Sequence, residues 1–305
     1  MRDTFVKALL GHARADKRVM LVAGDLGFGV LTGFSKELPS QFINAGVAEQ
    51  NMTGLSTGLA LEGRNVFTYS IANFPTLRCL EQIRNDASYH NASVNVVAIG
   101  GGFSYGALGM SHHATEDIAI MRALPGLRVF APCDEHETVA VVAQMIAEPA
   151  PTYLRLDKSK VAAGRGEALV PGRLRQLRDG DHVVLVGYGG IVAEILAAAD
   201  ALEGDGIRCA VFSAHTLKPF DGDTLLQLGQ RYRAMLTVEE HVSIGGLGSL
   251  AADTFLDAGM MPKRFARVCL PDAFSSIVGS QEYLRMRHGI DAQAIVARVR
   301  QLMCA

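Results

Sequence analysis

Short, continuous apolar runs alternate along the chain with longer segments in which apolar residues recur at helical spacing. The apolar runs are rich in Val, Ile and Phe and are bounded by polar residues or glycine, as buried β-strands are. Because apolar residues fall on both faces of these runs, they indicate parallel strands covered by helices on both faces. We therefore predict an α/β fold with two mainly parallel sheets, with strands at RVMLVA, NVFTYS, VNVVAI and LRVFA, then at HVVLVG, RCAVFS and RAMLTVE.

A polar segment, DKSKVAAGRGEALVPGRLRQLRDGD, separates the two series of strands. Its glycines, its proline and its charges are typical of a linker. A chain of 305 residues is long enough for two domains. We predict a first domain over residues 1–160, a linker over 161–180 and a second domain over 181–305.

The stretch FINAGVAEQNMTGLSTGLALEG, residues 42–63, is mostly small and apolar and predicts a buried helix. Glu49 and Gln50 lie in its opening turns. The positive end of the helix dipole favours a carboxylate near a helix N-terminus. A carboxylate with so little polar cover also needs a hydrogen-bond partner and is suited to proton transfer. From the residues alone, both interpretations stay open.

Composition and charge exclude several classes of function. The chain is 49% hydrophobic and 20% charged, and its formal net charge of -2 gives no long-range attraction for nucleic acid. No apolar run approaches the roughly 18 residues needed to span a bilayer. Charges interrupt the N-terminal segment where a signal peptide needs apolar residues, so we expect a cytoplasmic protein. The five cysteines are far apart and predict neither disulfides nor a zinc site.

The segment VVLVGYGGIVAEIL places a glycine turn between a strand and a helix. Gly187 and Gly189 fit a dinucleotide-binding loop, but Val192 stands where that loop needs its third glycine. Close packing of the strand and the helix explains the same glycines. A dinucleotide-dependent oxidoreductase stays as an alternative.

Two histidines in GALGMSHHATEDIAIMR have spacings that a metal site could use. His112 and Glu116, like His113 and Asp117, are four residues apart, which would put each pair on one face of a helix. An ordinary helix start explains the acidic residues equally, because carboxylates are favoured in a first turn. The glycines that precede this segment permit close approach of the backbone to a ligand.

These segments together resemble a known family. FINAGVAEQNMTGLSTGLALEG, with VAGDL upstream and GMSHHATEDIAIMRALPGLRVFAPCDEHET downstream, is similar to the pyrimidine-binding domain of the transketolases. GYGGIVAEILAAADAL, HTLKPFD and TVEEHVSIGGLGS resemble the transketolase C-terminal domain. The similarity covers nearly the whole chain but includes no diphosphate-binding domain. The resemblance therefore implies the second subunit of a split transketolase.

The resemblance also implies a cofactor, a partner and a reaction. The cofactor is thiamine diphosphate with Mg²⁺, held mainly by an N-terminal partner subunit that carries the diphosphate-binding domain. The implied assembly is an α2β2 heterotetramer in which copies of this chain also contact each other. The implied reaction transfers a two-carbon ketol unit from a ketose or ketose phosphate to an aldose or an unusual carbonyl acceptor.

Four residues match positions of the family's cofactor site. Glu49 matches the glutamate that hydrogen-bonds N1′ of the aminopyrimidine, and His112 matches the histidine near the donor and the reaction intermediate. Phe74 resembles the aromatic residue that stacks on the pyrimidine, and Asp25 falls at a position that lines the cofactor pocket. The resemblance implies no metal ligand in this chain.

The substrate-binding positions depart from the family pattern. Arg2 and Arg155 fall at the two arginine positions of the phosphate clamp, but Gly29 and Gly100 replace its serine and histidine. Leu108 replaces an aspartate that contacts a sugar hydroxyl. Our hypothesis is that glycine widens the site for an unusual sugar or a bulkier carbonyl acceptor.

Besides the dinucleotide-dependent oxidoreductase, three further alternatives to the transketolase interpretation remain. The β-subunit of a 2-oxoacid dehydrogenase shares the two-domain layout but decarboxylates an oxoacid, and a ligase like deoxyxylulose-phosphate synthase takes pyruvate as donor. A non-catalytic scaffold would have kept the fold without the chemistry. Retention of Glu49 and His112 argues against the scaffold, because packing requires neither residue.

Overall fold

The computed structural model describes residues 1–158, 161, 169–170 and 172–304. The strands of this part are β1 (Val19–Ala23), β2 (Phe42–Asn44), β3 (Asn65–Ile71), β4 (Val94–Ile99), β5 (Arg128–Phe130), β6 (Thr152–Leu156), β7 (Arg175–Arg178), β8 (Val183–Gly187), β9 (Cys209–Ser213), β10 (Thr216–Lys218), β11 (Ala234–Val242) and β12 (Phe265–Leu270). The helices are α1 (Arg2–Ala15), α2 (Thr32–Glu37), α3 (Glu49–Leu61), α4 (Asn73–Thr76), α5 (Leu80–Gln82), α6 (Asp117–Ala123), α7 (Glu135–Ala147), α8 (Val192–Gly204), α9 (Gly222–Arg231), α10 (Leu247–Ala258), α11 (Gln281–Arg287) and α12 (Ala292–Cys304).

The first sheet has the strand order β10-β5-β6-β4-β3-β1-β2. All its neighbouring strands are parallel except β10, which pairs antiparallel with β5. Strands β1, β4 and β6 are buried at every position because helices cover both faces of the sheet. This arrangement confirms the α/β class predicted from the continuous apolar runs.

The second sheet has the strand order β12-β11-β8-β9-β7. Its central strands are parallel, and β7 pairs antiparallel with β9 at the edge. All seven strands predicted from the sequence are confirmed, four in the first sheet and three in the second.

Two segments differ from the sequence prediction. Within the predicted linker, residues 162–168 and 171 lie outside the described residues, whereas Arg175–Arg178 form β7 and belong to the second sheet. The predicted helix over residues 42–63 begins only at Glu49, because Phe42–Asn44 pair with β1 as a strand. Glu49 is thus the first residue of its helix.

The two halves of the chain are packed against each other. One continuous apolar cluster includes Val96 and Met121 from the first half and Val184 and Leu225 from the second. A buried carboxylate, Glu240 on β11, also accepts a hydrogen bond from the backbone N–H of Phe103 in the first half. Of the helices in the described ranges, none combines the length and apolarity needed to cross a membrane.

Candidate active site

Glu49 lies at the carboxyl ends of the parallel strands β1 and β3. Its side chain is 3% exposed. A β-carbon added to Gly24, directly after β1, would lie 3.6 Å from Cγ of Glu49 and 3.5 Å from Oγ of Ser70. The Ser70 hydroxyl is buried and has no hydrogen-bond partner among the described residues. Ligands of α/β sheets bind outside the carboxyl ends of the strands, so Glu49 occupies the edge where a ligand is expected.

A series of contacts leads from Glu49 to His112. Nη1 of Arg78 donates a hydrogen bond to Oε2 of Glu49 at 3.0 Å. The guanidinium carbon of Arg78 lies 4.3 Å from the centroid of the Phe74 ring. That ring meets the imidazole of His112 edge-on, with 5.2 Å between centroids. The structure therefore brings together Glu49, Phe74 and His112 and adds Arg78 to them.

His112 ends the 3₁₀ turn Met110–His112, at the mouth of this cluster. Its Nδ1 lies 3.0 Å from the hydroxyl of Ser111. Burial lowers the pKa of His112 below its usual range, and the nearby His113 and Arg78 lower it further. The imidazole is therefore neutral at neutral pH and can exchange a proton with a bound hydroxyl.

His113 has a packing role. Its Nε2 donates to the backbone carbonyl of Gly106 at 3.1 Å, and its ring stacks edge-on against Phe103. The alternative of metal ligands on one helical face is wrong, because α6 begins at Asp117 and both histidines precede it. Asp117 is also engaged, since Arg155 donates to it at 2.9 Å.

One group of potential metal ligands lies away from this site. Among the residues that the structure describes, Cys133, Asp134 and Glu137 have donor atoms within 4.8 Å of one another. The guanidinium of Arg175 contacts both carboxylates, at 2.8 Å and 3.2 Å. The Arg175 cation already neutralises the two carboxylates that a metal ion would need as ligands. We therefore interpret the group as a structural ion pair.

Asp25 directly follows Gly24 and borders the Glu49 site. It has a φ of 55°, in the left-handed region that residues other than glycine seldom adopt. Nδ2 of Asn44 donates to Oδ1 of Asp25 at 2.9 Å and fixes the side chain. Such backbone conformations concentrate at functional sites.

Arg2 lines a cavity of about 180 Å³ together with Ser70, Tyr69 and Tyr105. Because Ser70 also borders Glu49, this cavity adjoins the Glu49 cluster. The Tyr105 ring also contacts a second cation, since Nζ of Lys158 lies 3.4 Å from its centroid. Burial and the positive charge of Arg2 lower the pKa of Lys158. The cavity therefore has a cationic, phenol-lined wall.

Arg155 does not face this cavity. Its side chain is 2% exposed and forms an ion pair with Asp117 at 2.9 Å. Its second terminal nitrogen donates to the backbone carbonyl of Glu240 at 3.1 Å. The prediction that Arg155 binds substrate does not fit this arrangement, because a sugar phosphate has no access to a guanidinium buried between the two halves of the chain.

The glycines at positions 29 and 100 have different surroundings. A β-carbon on Gly29 would meet nothing within 4 Å, so the space there is open. A β-carbon on Gly100 would lie 2.1 Å from the Tyr105 ring, so Tyr105 already fills that space. The hypothesis of a site widened by glycine therefore does not fit Gly100, and for Gly29 it stays a prediction. Leu108 is exposed and contributes an apolar surface.

Arg78, Tyr105 and Lys158 also contact this site but are not predicted from the sequence. Arg78 follows Phe74 by one helical turn in SIANFPTLRCLEQI, and that spacing could have indicated a cation over the aromatic ring. Tyr105 and Lys158 carried no such signal. Their contact depends on the path of the loop after β4 and on the end of β6, which only the folded chain defines.

The fold and the site define a two-domain α/β protein with a buried carboxylate, an aromatic face and a histidine at the carboxyl edge of the first sheet. Comparison with known families assigns residues 1–163 to the transketolase pyrimidine-binding domain and residues 172–295 to the transketolase C-terminal domain. The chain belongs to the transketolase family. The resemblance inferred from the sequence is thus confirmed.

Relatives of the chain include components of split transketolases. It is 33% identical over 298 residues to an apulose-4-phosphate transketolase subunit from Phocaeicola vulgatus, covering 96% of this chain and 94% of that protein. It is 35% identical to a 6-deoxy-6-sulfo-D-fructose transketolase subunit from Clostridium sp., covering 97% and 92%. A solved split-gene transketolase, described as an inactive β4 tetramer, has a TM-score of 0.90 and 33% identity over 99% of this chain and 98% of that one.

The site suits the aminopyrimidine half of thiamine diphosphate, the cofactor that the family implies. Glu49 offers a buried carboxylate to a ring nitrogen, and Phe74 offers an aromatic face. Gly24 borders the Glu49 side chain, since a β-carbon added to it would make an ordinary van der Waals contact with Cγ of Glu49 at 3.6 Å. The unpartnered hydroxyl of Ser70 supplies a further polar group at the same edge. These residues therefore fit a planar, nitrogen-rich ring.

Proposed function

We propose that this chain is the pyrimidine-binding subunit of a thiamine diphosphate-dependent split transketolase. The observation that carries this proposal is the buried Glu49 carboxylate, in one cluster with Phe74 and His112. A carboxylate at 3% exposure needs a partner for its charge, and a ring nitrogen of the cofactor supplies one. The enzyme transfers a two-carbon ketol unit between sugars.

The chemistry divides between the cofactor and the protein. Bound thiamine diphosphate supplies the electron sink for cleavage of the carbon–carbon bond beside a ketose carbonyl. Glu49 orients the aminopyrimidine and holds a proton on its ring nitrogen, and Phe74 packs against the ring. Asp25 shapes the adjoining wall. His112, as a neutral imidazole, exchanges a proton with a sugar hydroxyl in the reaction.

We propose that Arg2 binds the anionic end of the substrate. Arg2 and Tyr105 line the cavity that adjoins Glu49, and Lys158 adds a second positive charge 3.4 Å from the centroid of the Tyr105 ring. Two relatives are named for substrates with an anionic end, a phosphate in one and a sulfonate in the other. A sugar phosphate or sulfonated sugar is therefore the donor class to test first. For the acceptor, the open space at Gly29 admits a branched or bulky carbonyl compound.

The partner in this proposal is an N-terminal transketolase subunit that binds the diphosphate and Mg²⁺. Each of the two relatives is named as a subunit of a transketolase, which supports an assembly with a second kind of chain. For this assembly we propose an α2β2 heterotetramer. Activity then requires both chains. The cytoplasmic location stays a prediction.

Substitution of Glu49 tests the proposal. In the complex reconstituted with its native partner, Glu49→Gln should lower ketol transfer at least about 100-fold, because the amide cannot hold the pyrimidine proton. Glu62→Gln, at the exposed end of the same helix, is the matched control and should retain activity. Transfer would be measured with fructose 6-phosphate, 6-deoxy-6-sulfofructose and neutral erythrulose as donors.

Two outcomes of that assay would contradict the proposal. Unchanged activity in Glu49→Gln would favour a scaffold role for this chain. Turnover of pyruvate or branched oxoacids, with no turnover of any ketose, would favour the synthase or the oxoacid dehydrogenase alternative.

A further inference from the structure

Arg78 contacts the two groups that would hold the pyrimidine. It donates a hydrogen bond to Oε2 of Glu49 at 3.0 Å, and its guanidinium carbon lies 4.3 Å from the Phe74 ring centroid. Its side chain is 52% exposed, whereas that of Glu49 is 3% exposed. The cation therefore reaches a buried carboxylate from the solvent side.

The guanidinium offers the same chemistry as the aminopyrimidine. It is planar, it donates N–H groups to a carboxylate, and it stacks on aromatic faces. An aminopyrimidine that met Glu49 with a ring nitrogen and packed on Phe74 would need the same carboxylate and the same aromatic ring that Arg78 contacts. Arg78 and the cofactor thus compete for one place.

The backbone at Arg78 is held independently of the side chain. Nε2 of Gln50, the second residue of α3, donates to the Arg78 carbonyl at 3.0 Å. The following residue, Cys79, donates its backbone N–H to the carbonyl of Thr76. The guanidinium can therefore rotate into solvent by side-chain torsions alone, while the loop keeps its path.

Without Arg78, none of the described residues would pair with the buried Glu49 carboxylate in the cofactor-free chain. Such a group is costly, and an ion pair or hydrogen bond offsets that cost. A half-exposed arginine forms a weak pair that a better ligand can displace, because solvent competes for its charge. These properties are those required of a residue that fills the site only until the cofactor arrives.

We propose that Arg78 is a placeholder in the pyrimidine site, pairing with Glu49 and covering Phe74 in the cofactor-free chain and leaving both when thiamine diphosphate binds. This inference rests on the proposed function. Arg78 is thus a residue that weakens cofactor binding and stabilises the free subunit. A residue that positions Glu49 in the loaded enzyme would have the opposite effect on cofactor affinity.

The test compares R78Q and R78K with wild type in two measurements. The first is the melting temperature of the chain alone, which R78Q should lower and R78K should largely keep, because lysine retains the charge. The second is calorimetric titration of thiamine diphosphate with Mg²⁺ into the complex with the native partner. R78Q should bind the cofactor about 2- to 5-fold more tightly than wild type, the range set by one exposed ion pair, whereas R78K keeps a charge that pairs with Glu49 and should bind about as wild type does.

Arg84→Gln is the matched control, because Arg84 is exposed on the helical turn that follows and contacts Asn85 rather than Glu49. It should change neither measurement. Cofactor binding that is weakened or unchanged in R78Q would overturn this inference alone. No binding to the wild-type complex would overturn the proposed function and this inference with it.

Discussion

At the scale of single residues, Gly100 and Tyr105 explain a departure from the family pattern. Gly100 has a φ of 91°, and its missing β-carbon leaves room for the Tyr105 ring. Tyr105 in turn contacts Lys158 and lines, with Arg2, the cavity beside Glu49. Gly100 therefore makes room for the Tyr105 ring and does not enlarge the space for substrate.

Alanine substitutions separate the two constraints on Gly100. Gly29 and Gly100 both have positive φ, at 78° and 91°, but only Gly100 has a neighbour within 4 Å of the added atom. Gly29→Ala should lower the free energy of unfolding by about 1–2 kcal/mol through backbone strain alone. Gly100→Ala should cost about 1–3 kcal/mol more, because the new atom overlaps the ring.

Chemical denaturation of both variants would measure this difference. In a Tyr105→Ala background, Gly100→Ala should lower the free energy of unfolding only by the backbone strain, because the overlapping ring is absent. Equal losses in the two single variants would show that the Tyr105 ring moves aside freely, and the assignment of Gly100 to packing would be wrong.

At the scale of elements, the sequence predicts the strands whose two faces are both apolar. β6 escaped prediction because Arg155 interrupts TYLRL, and its charge is buried against Asp117. β7 and β10 are short edge strands with polar residues, and no local pattern distinguishes such strands from loops. Glu49 could be singled out from its apolar surroundings, but its contact with Arg78, 29 residues away, depends on the tertiary fold.

The connection between β9 and β10 contains a buried histidine that makes stability depend on pH. His215 is fully buried, and neither ring nitrogen has a partner among the described residues. Burial lowers the pKa of His215, and Arg175 adds to this effect against the opposing charges of Glu137 and Asp134. The folded chain therefore keeps this imidazole neutral where the unfolded chain protonates it.

Stability should accordingly fall as the pH drops from 7 to 5. In this window the unfolded state binds more protons than the folded state, beginning near the ordinary histidine pKa of about 6.5. One such group contributes at most about 1.4 kcal/mol per pH unit. His215→Leu should flatten the dependence of the unfolding free energy on pH, and His136→Leu, an exposed control, should not. Equal slopes in wild type and His215→Leu would contradict this origin.

At the scale of the whole molecule, Glu240 joins the two halves of the chain. Its carboxylate accepts hydrogen bonds from the Phe103 backbone at 2.5 Å and from Nε of Arg285 at 2.7 Å. Gln281 donates to the same carboxylate at 3.0 Å. The glycine loop that precedes His112 is therefore held from the second half of the chain.

Glu240→Gln should destabilise the protein strongly. Breaking one partner of a buried ion pair costs about 3–5 kcal/mol, and because Glu194 still pairs with Arg285 at 3.3 Å we expect the loss to lie near the lower end of that range. Glu37→Gln, which removes an exposed pair with Arg14, should leave the denaturation midpoint unchanged. The measurement is urea denaturation followed by circular dichroism, and equal midpoints for Glu240→Gln and wild type would refute the role of Glu240.

Strand β10 limits how the gene can be divided. It follows β9 of the second sheet, yet Thr216 pairs with Phe130 at the outer edge of the first sheet. A fragment that stopped before β10 would leave the backbone groups of β5 unpaired at an exposed edge, where another copy could add a strand. We therefore expect a fragment, fusion or domain swap that divides the chain between the two sheets to aggregate. Keeping Thr216–Lys218 attached to the first half should prevent this.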